Sequence, residues 1–114
     1  MSDCLFCGIA AGTVPADVIY QTDEVVAFRD LHPQAPLHAL VIPRKHIATI
    51  NDITPEDQTV IGEMYLAAAQ IVGEAGLSES GFRTVMNCNR QGGQTVYHIH
   101  LHVLAGRQMH WPPG

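Results

Sequence analysis

The chain has 114 residues, 46% of them apolar and 15% charged, the profile of one compact domain spanning residues 1–114 rather than two. Eleven acids against six bases leave a net charge of −5, which excludes the basic footprint of a duplex-binding protein, so no nucleic-acid partner is expected. No apolar run approaches the roughly 18 residues of a membrane span, and Met1-Ser2-Asp3-Cys4 lacks a basic stretch followed by an apolar one, so a soluble, cytoplasmic protein without a membrane partner is expected.

In chain order, Leu5 to Ala11 reads as a short helix ended by Gly12, after which Pro15 favours extended chain into Val18-Ile19-Tyr20. Asp23-Glu24 turns this strand into a second, Val25 to Arg29, making a hairpin. Leu37 to Ile42, bracketed by Pro36 and Pro43, is a third strand, apolar enough for burial on both faces apart from His38. Arg44-Lys45 then reads as a solvated basic pair with no assigned role. The long helix starts at Thr54, with Pro55 at its first position and Glu56 and Asp57 at the positive end of its dipole, and stops at Gly76. Val60, Ile61, Met64, Tyr65, Ala68, Ile71, Val72 and Ala75 recur at three- and four-residue steps and form one apolar stripe to cover a sheet. Gly81 to Asn87 is a fourth strand, Asn89 to Gly93 a loop, and Val96 to Leu104 the last strand, ended by Gly106. This order predicts an antiparallel five-stranded α+β domain with its long and short helices on one side of the sheet.

Histidine is the unusual count: seven residues outnumber Lys and Arg together. In Tyr97-His98-Ile99-His100-Leu101-His102-Val103 a β conformation puts three imidazoles on one face and the apolar residues on the other. Same-face neighbours on a strand lie roughly 6.6–7 Å apart, so one metal ion would take two of the three more easily than all of them. A half-exposed polar face is the plain alternative for any single histidine. Three in register, preceded by Gly92-Gly93-Gln94-Thr95 with its backbone amides and hydroxyl, favour a site for an oxyanion. Neutral imidazole is a competent nucleophile near pH 7 once its tautomer is fixed. His100 would attack phosphorus, His102 would donate to a non-bridging oxygen, and amides from Gly93 to Thr95 would offset the growing charge. Of the three cysteines, Cys88 reads as a packed thiol, while the Cys4-x-x-Cys7 pair suits a metal or two reduced thiols.

His98-Ile99-His100-Leu101-His102-Val103-Leu104 resembles the histidine triad motif, in which three histidines alternate with apolar residues. Phe28-Arg29-Asp30, the run Pro33 to Pro43 and Gly92 to Tyr97 are also similar to that family. The tail Gly106 to Gly114, ending Trp111-Pro112-Pro113-Gly114, resembles its nucleotide-binding branch, the purine nucleoside phosphoramidases. The resemblance covers nearly the whole chain. It implies a homodimer whose two sheets join into one of ten strands, a purine nucleotide (AMP or GMP conjugate) as substrate, and hydrolysis of a phosphorus–nitrogen bond through a nucleotidyl-histidine intermediate. No cofactor is required for that catalysis. By position, His100 matches the nucleophile; His102, Gly93, Gln94, Thr95 and Asn87 match residues around the α-phosphate; and Asp30 matches the carboxylate on the ribose hydroxyls. Phe28, Leu31, His32 and Ile9 correspond to the base pocket, His38 to a supporting active-site histidine, and Trp111 to a residue lent across the dimer. Thr95 stands where close relatives carry Ser. Cys4 and Cys7 match a pair that, in some relatives, joins two histidines, here His46 and His98, in a structural zinc site. Two other functions stay open: a purine nucleotide-binding scaffold without turnover, and a dinucleoside polyphosphate hydrolase, against which the tail argues.

Overall fold

A computed structural model describes residues 3–114; Met1 and Ser2 of the N-terminal reading lie outside the described residues. The elements are α1 (Leu5–Ala11), β1 (Val18–Gln21), β2 (Val25–Arg29), β3 (Leu37–Pro43), α2 (Gln58–Glu74), β4 (Phe82–Val85), α3 (Asn89–Gly92) and β5 (Leu101–Ala105), with short 3-10 turns at Ile50–Asp52 and Pro55–Asp57. The strands form one antiparallel sheet in the order β1-β2-β3-β5-β4. The α+β class and the five strands agree with the sequence reading.

Local chemistry sets the element ends. Gly12, at φ +80°, takes the left-handed turn that closes α1, its N–H donating to Gly8 and Ile9 carbonyls. Before α2, the Asp57 carboxylate accepts from the Thr54 amide at 2.9 Å and its hydroxyl at 3.2 Å. Lys45 donates to the same buried carboxylate at 2.7 Å, and Arg44 donates to the carbonyls of Thr22 and Ala10 and to Gln21 Oε1. The basic pair is therefore not merely solvated: Arg44 ties the end of α1 to the β1–β2 hairpin, and Lys45 ties the end of β3 to the start of α2.

The helices do not share one side of the sheet. Val25, Ala27, Ala39 and Val41 pack with Val60, Met64, Ala68, Ile71 and Val72 of α2. The alternate residues Val26, Phe28, Leu40 and Ile42 pack with Phe6 and Ile9 of α1 on the opposite face. Both faces of β3 are thus covered, and all seven of its residues, His38 included, are buried. Of the expected stripe, Tyr65 on α2 and Ala75 just past its end turn to solvent, while Ala67 joins the buried face. Among the described residues no helix is long and apolar enough to cross a membrane.

The last strand is shorter than its pattern. Regular pairing with β3 begins at Leu101, opposite Val41, so His102 lies in β5 whereas His98 and His100 lie in the irregular chain before it. The partner strand ends at Pro43, which has no N–H to continue the ladder, and the Ile99 amide bonds instead to the Ile47 carbonyl at 2.8 Å. Alternation survives the lost ladder. Ile99, Leu101 and Val103 still enter the α2 core, and the imidazoles lie on the α1 side, where Phe6 meets His98 and His100. Fourth-strand pairing likewise shrinks from residues 81–87 to Phe82–Val85, and the expected loop after it contains the single turn α3.

Candidate active site

A cavity of about 520 Å³ opens on the α1 side of the sheet, within the usual range for a small-molecule site. Of the residues singled out from sequence, Ile9, Phe28, Asp30, Leu31, His32, Asn87, Gly93, Thr95, His100 and His102 line it. Its apolar end is built by Phe6, Ile9 and Val14 around α1 with Phe28 and Leu40 of the sheet, and its polar end by Asn87, Thr95, His100 and His102. Phe6 was not anticipated, although its three-residue spacing from Ile9 puts both on one helical face. It meets His100 edge-on, with ring centroids 5.1 Å apart at 88°.

His100 and His38 are each fixed in one tautomer by a backbone partner that can act in only one sense, and His38 passes the constraint on to His102. The His100 Nδ1–H donates to the His98 carbonyl at 2.8 Å, so Nε2 keeps its lone pair. The Gln34 amide donates to His38 Nδ1 at 3.0 Å, which puts the His38 proton on Nε2. That proton is donated to His102 Nδ1 at 2.9 Å, so the His102 proton sits on Nε2. The β3–β5 register brings the two rings together: Leu40 faces His102, and His38, two residues back on the same face, lies diagonal to it. The result is a lone pair on His100 beside an N–H donor on His102, with ring centroids 5.2 Å apart.

Burial favours the neutral form of His38 and His102. It pushes the His38 imidazole below its ordinary value, partly offset by the carboxylate of Asp30, whose Oδ2 lies 3.5 Å from Nε2. Burial, with the neighbouring His100 and His38 rings, lowers His102 to about 4 against the pull of Asp30. The other oxygen of Asp30 accepts from the His32 amide at 2.7 Å, which orients the carboxylate at the cavity.

The expected row of amides is mostly spent. The Gly93 N–H bonds to the Arg90 carbonyl and the Gln94 N–H to the Asn89 carbonyl, both within the turn of α3. Among the described residues the Thr95 amide and hydroxyl make no such bond. Gln94 does not line the cavity: its buried side chain accepts from the Asn89 amide and donates to the carbonyls of Ala48 and Val96, holding the loop in place. His38 also lies behind the cavity wall rather than on it, and Trp111, 82% exposed, stands away from the cavity in the single chain.

At the other end of the histidine run, Cys4 Sγ, Cys7 Sγ, His46 Nδ1 and His98 Nδ1 all lie within 4.8 Å of one another. His98 donates its Nε2–H to the Pro43 carbonyl at 2.8 Å, which aims the Nδ1 lone pair at Cys4 (3.4 Å) and Cys7 (3.5 Å). His46 Nδ1 lies 3.2 Å from Cys7 Sγ. Tetrahedral zinc bonds of about 2.0 Å to nitrogen and 2.3 Å to sulfur require ligand separations of about 3.3–3.8 Å, so the donor set fits that ion.

Residues 11–109 match the HIT domain family. Among curated proteins, an uncharacterized HIT-like protein of Synechococcus elongatus is 47% identical over 98% of this chain and 97% of its own. The purine nucleoside phosphoramidase of Escherichia coli K12 is 47% identical over 94% of this chain and 90% of its own. Among solved structures, a HIT family hydrolase from Legionella pneumophila superposes with a TM-score of 0.96 at 54% identity, covering 98% of this chain and all of that one.

Proposed function

The chain belongs to the HIT domain family, and from that membership we propose that it is a purine nucleoside phosphoramidase, hydrolysing the phosphorus–nitrogen bond of adenosine or guanosine 5′-monophosphoramidates and aminoacyl adenylate-like substrates. The observation that carries this reading is the pair of opposed nitrogens, the His100 Nε2 lone pair beside the His102 Nε2–H. Nε2 of His100 attacks the α-phosphorus as the phosphorus–nitrogen bond breaks, and the amine departs with a proton taken from solvent water. Positive charge then grows on the His100 ring, where the His98 carbonyl already accepts the Nδ1 proton. His102 and the Thr95 amide and hydroxyl donate to the non-bridging oxygens, and water then frees the nucleotide from His100. In this reading the base occupies the apolar end between Ile9 and Phe28, with Leu31 and His32 at its rim, and Asp30 takes the ribose hydroxyls.

The same proposal covers the assembly and its setting. Residues 1–114 act as one domain, the sheet continues across a twofold homodimer, and Trp111 reaches the partner's site. Cys4, Cys7, His46 and His98 hold a structural zinc ion, which when bound would cross-link α1 to the start of the triad segment. An odd number of cysteines and a metal-type pair fit a reducing, cytoplasmic location.

The test is turnover of an adenosine 5′-phosphoramidate by wild type and by His100→Ala. Wild type is expected to release the amine; the variant is expected to bind AMP but to lose turnover. Near-normal rates in the variant would exclude the covalent step. AMP binding by wild type without any phosphoramidate hydrolysis would instead favour the scaffold reading, and faster cleavage of a diadenosine polyphosphate would favour the polyphosphate hydrolase.

A further inference from the structure

We infer that Arg107, on the tail beyond the triad, is a positioning residue that sets the tautomer of His102; the inference rests on the proposed role of His102 as a donor. Strand β5 ends at Ala105, opposite Leu37. Gly106 then turns at φ +100°, passing so close to Pro36 that a Cβ there would lie 2.9 Å from the proline's own Cβ. This close passage brings Arg107 over the loop between β2 and β3, where its Nε donates to the Gln34 carbonyl at 2.8 Å. Its Nη1 donates to the Gln108 carbonyl at 3.2 Å.

Every other hydrogen bond in that loop is local. The His32 amide bonds to Asp30, the Gln34 side chain to the His32 carbonyl, and the Gln34 amide to His38. Among the described residues, Arg107 supplies the one hydrogen bond that reaches residues 31–36 from outside the segment 30–38. The residue it grips is the one whose N–H determines the His38 tautomer. From Arg107 the constraint runs through the backbone of Gln34 to His38 and on to the Nε2–H of His102. If the Gln34 amide swings away, His38 is free to carry its proton on Nδ1 and to accept at Nε2. His102 would then carry its proton on Nδ1 and present a lone pair, rather than a donor, to a phosphoryl oxygen.

The experiment compares wild type, Arg107→Ala and Arg107→Lys by steady-state hydrolysis of an adenosine phosphoramidate and by imidazole nitrogen NMR of the histidine-labelled proteins. A bond from an exposed guanidinium to a carbonyl is of modest strength, so Arg107→Ala is expected to lower kcat about 3- to 10-fold with KM within about twofold. Its His102 nitrogens are expected to change from one tautomer to a mixture. Arg107→Lys, which retains one flexible donor, is expected to recover most of kcat and the single tautomer. A kcat like wild type in Arg107→Ala, or a lowered kcat with the His102 spectrum unchanged, would overturn the role. If wild type itself fails to turn over the phosphoramidate, the proposed function fails, while the nitrogen spectra still decide whether Arg107 controls the tautomer.

Discussion

At the scale of single residues, the protons of His38 and His100 are placed by backbone partners that cannot exchange roles, and His38 relays that choice to His102. The triad spacing made three imidazoles on one side readable, since alternation needs no knowledge of the fold. The tautomers were not readable, because they depend on the Gln34 amide and on the Pro43 and His98 carbonyls, which only the folded chain brings to the rings. Burial adds a pH signature. An unfolded histidine titrates near 6.5, but folded His102 is lowered to about 4 and His38 is lowered too. Below pH 6.5 the unfolded chain takes up protons that the folded chain resists, so stability present above 6.5 is lost as pH falls toward 4. Calorimetry across that window is expected to show a falling Tm, with a shallower fall in His102→Asn. Thr95 gives a second residue-scale outcome. With the Gly93 and Gln94 amides committed to α3, Thr95→Val removes one of the few remaining donors and is expected to lower kcat about 10- to 100-fold, while Thr95→Ser stays near wild type. Phosphoramidate kinetics check both variants.

At the scale of elements, the readable parts were those whose signals are local. Gly12 marked the end of α1 and β-branched runs marked the first three strands, whereas the Thr54-to-Asp57 box opens a 3-10 turn, Pro55–Asp57, and α2 itself begins only at Gln58 and ends at Glu74. What the chain pattern concealed was pairing. The apolar alternation from Val96 to Leu104 is real, but a ladder needs a partner with an N–H to offer, and the partner strand stops at Pro43. Placement of α1 was hidden for a similar reason: a seven-residue helix carries too short a stripe to say which sheet face it covers, whereas the alternation of Leu40 and Ile42 against Ala39 and Val41 shows that both faces need cover. Arg44 is the tie that keeps α1 there, with three donors placed on two carbonyls and one side-chain oxygen. Arg44→Ala is expected to cost about 1–3 kcal/mol in urea unfolding, since it leaves partly buried acceptors without their charged donor. The cavity floor from α1 moves with it, so AMP affinity is expected to fall in the same variant by isothermal titration.

At the scale of the whole molecule, two proposed features complete a chain that is small for its tasks. A 114-residue domain leaves considerable apolar surface in water, and a structural zinc would offset part of that deficit. Cys7→Ser, or chelation of the purified protein, is therefore expected to remove bound zinc and lower Tm by about 5–10 °C, on the scale of roughly 4–8 °C per kcal/mol for a domain of this size. Metal analysis and thermal unfolding of the same samples check it. The second feature is the partner subunit. Among the described residues strand β4 has a neighbour only on its β5 side, Phe82 on it is 41% exposed, and α2 turns Tyr65 and Leu66 outward at 50% and 65% exposure. An open strand edge carrying an exposed Phe82 invites pairing, and a twofold partner offering the same edge covers it on both chains at once, leaving β1 as the outer edge of the joined sheet. Sedimentation at micromolar concentration is expected to give twice the chain mass for wild type and the single-chain mass for Phe82→Glu combined with Leu66→Glu. If Trp111 does reach the partner's site, the monomeric variant should also lose more activity toward phosphoramidates with bulky amines than toward those with small ones, because the residue proposed to border the leaving group would depart with the partner.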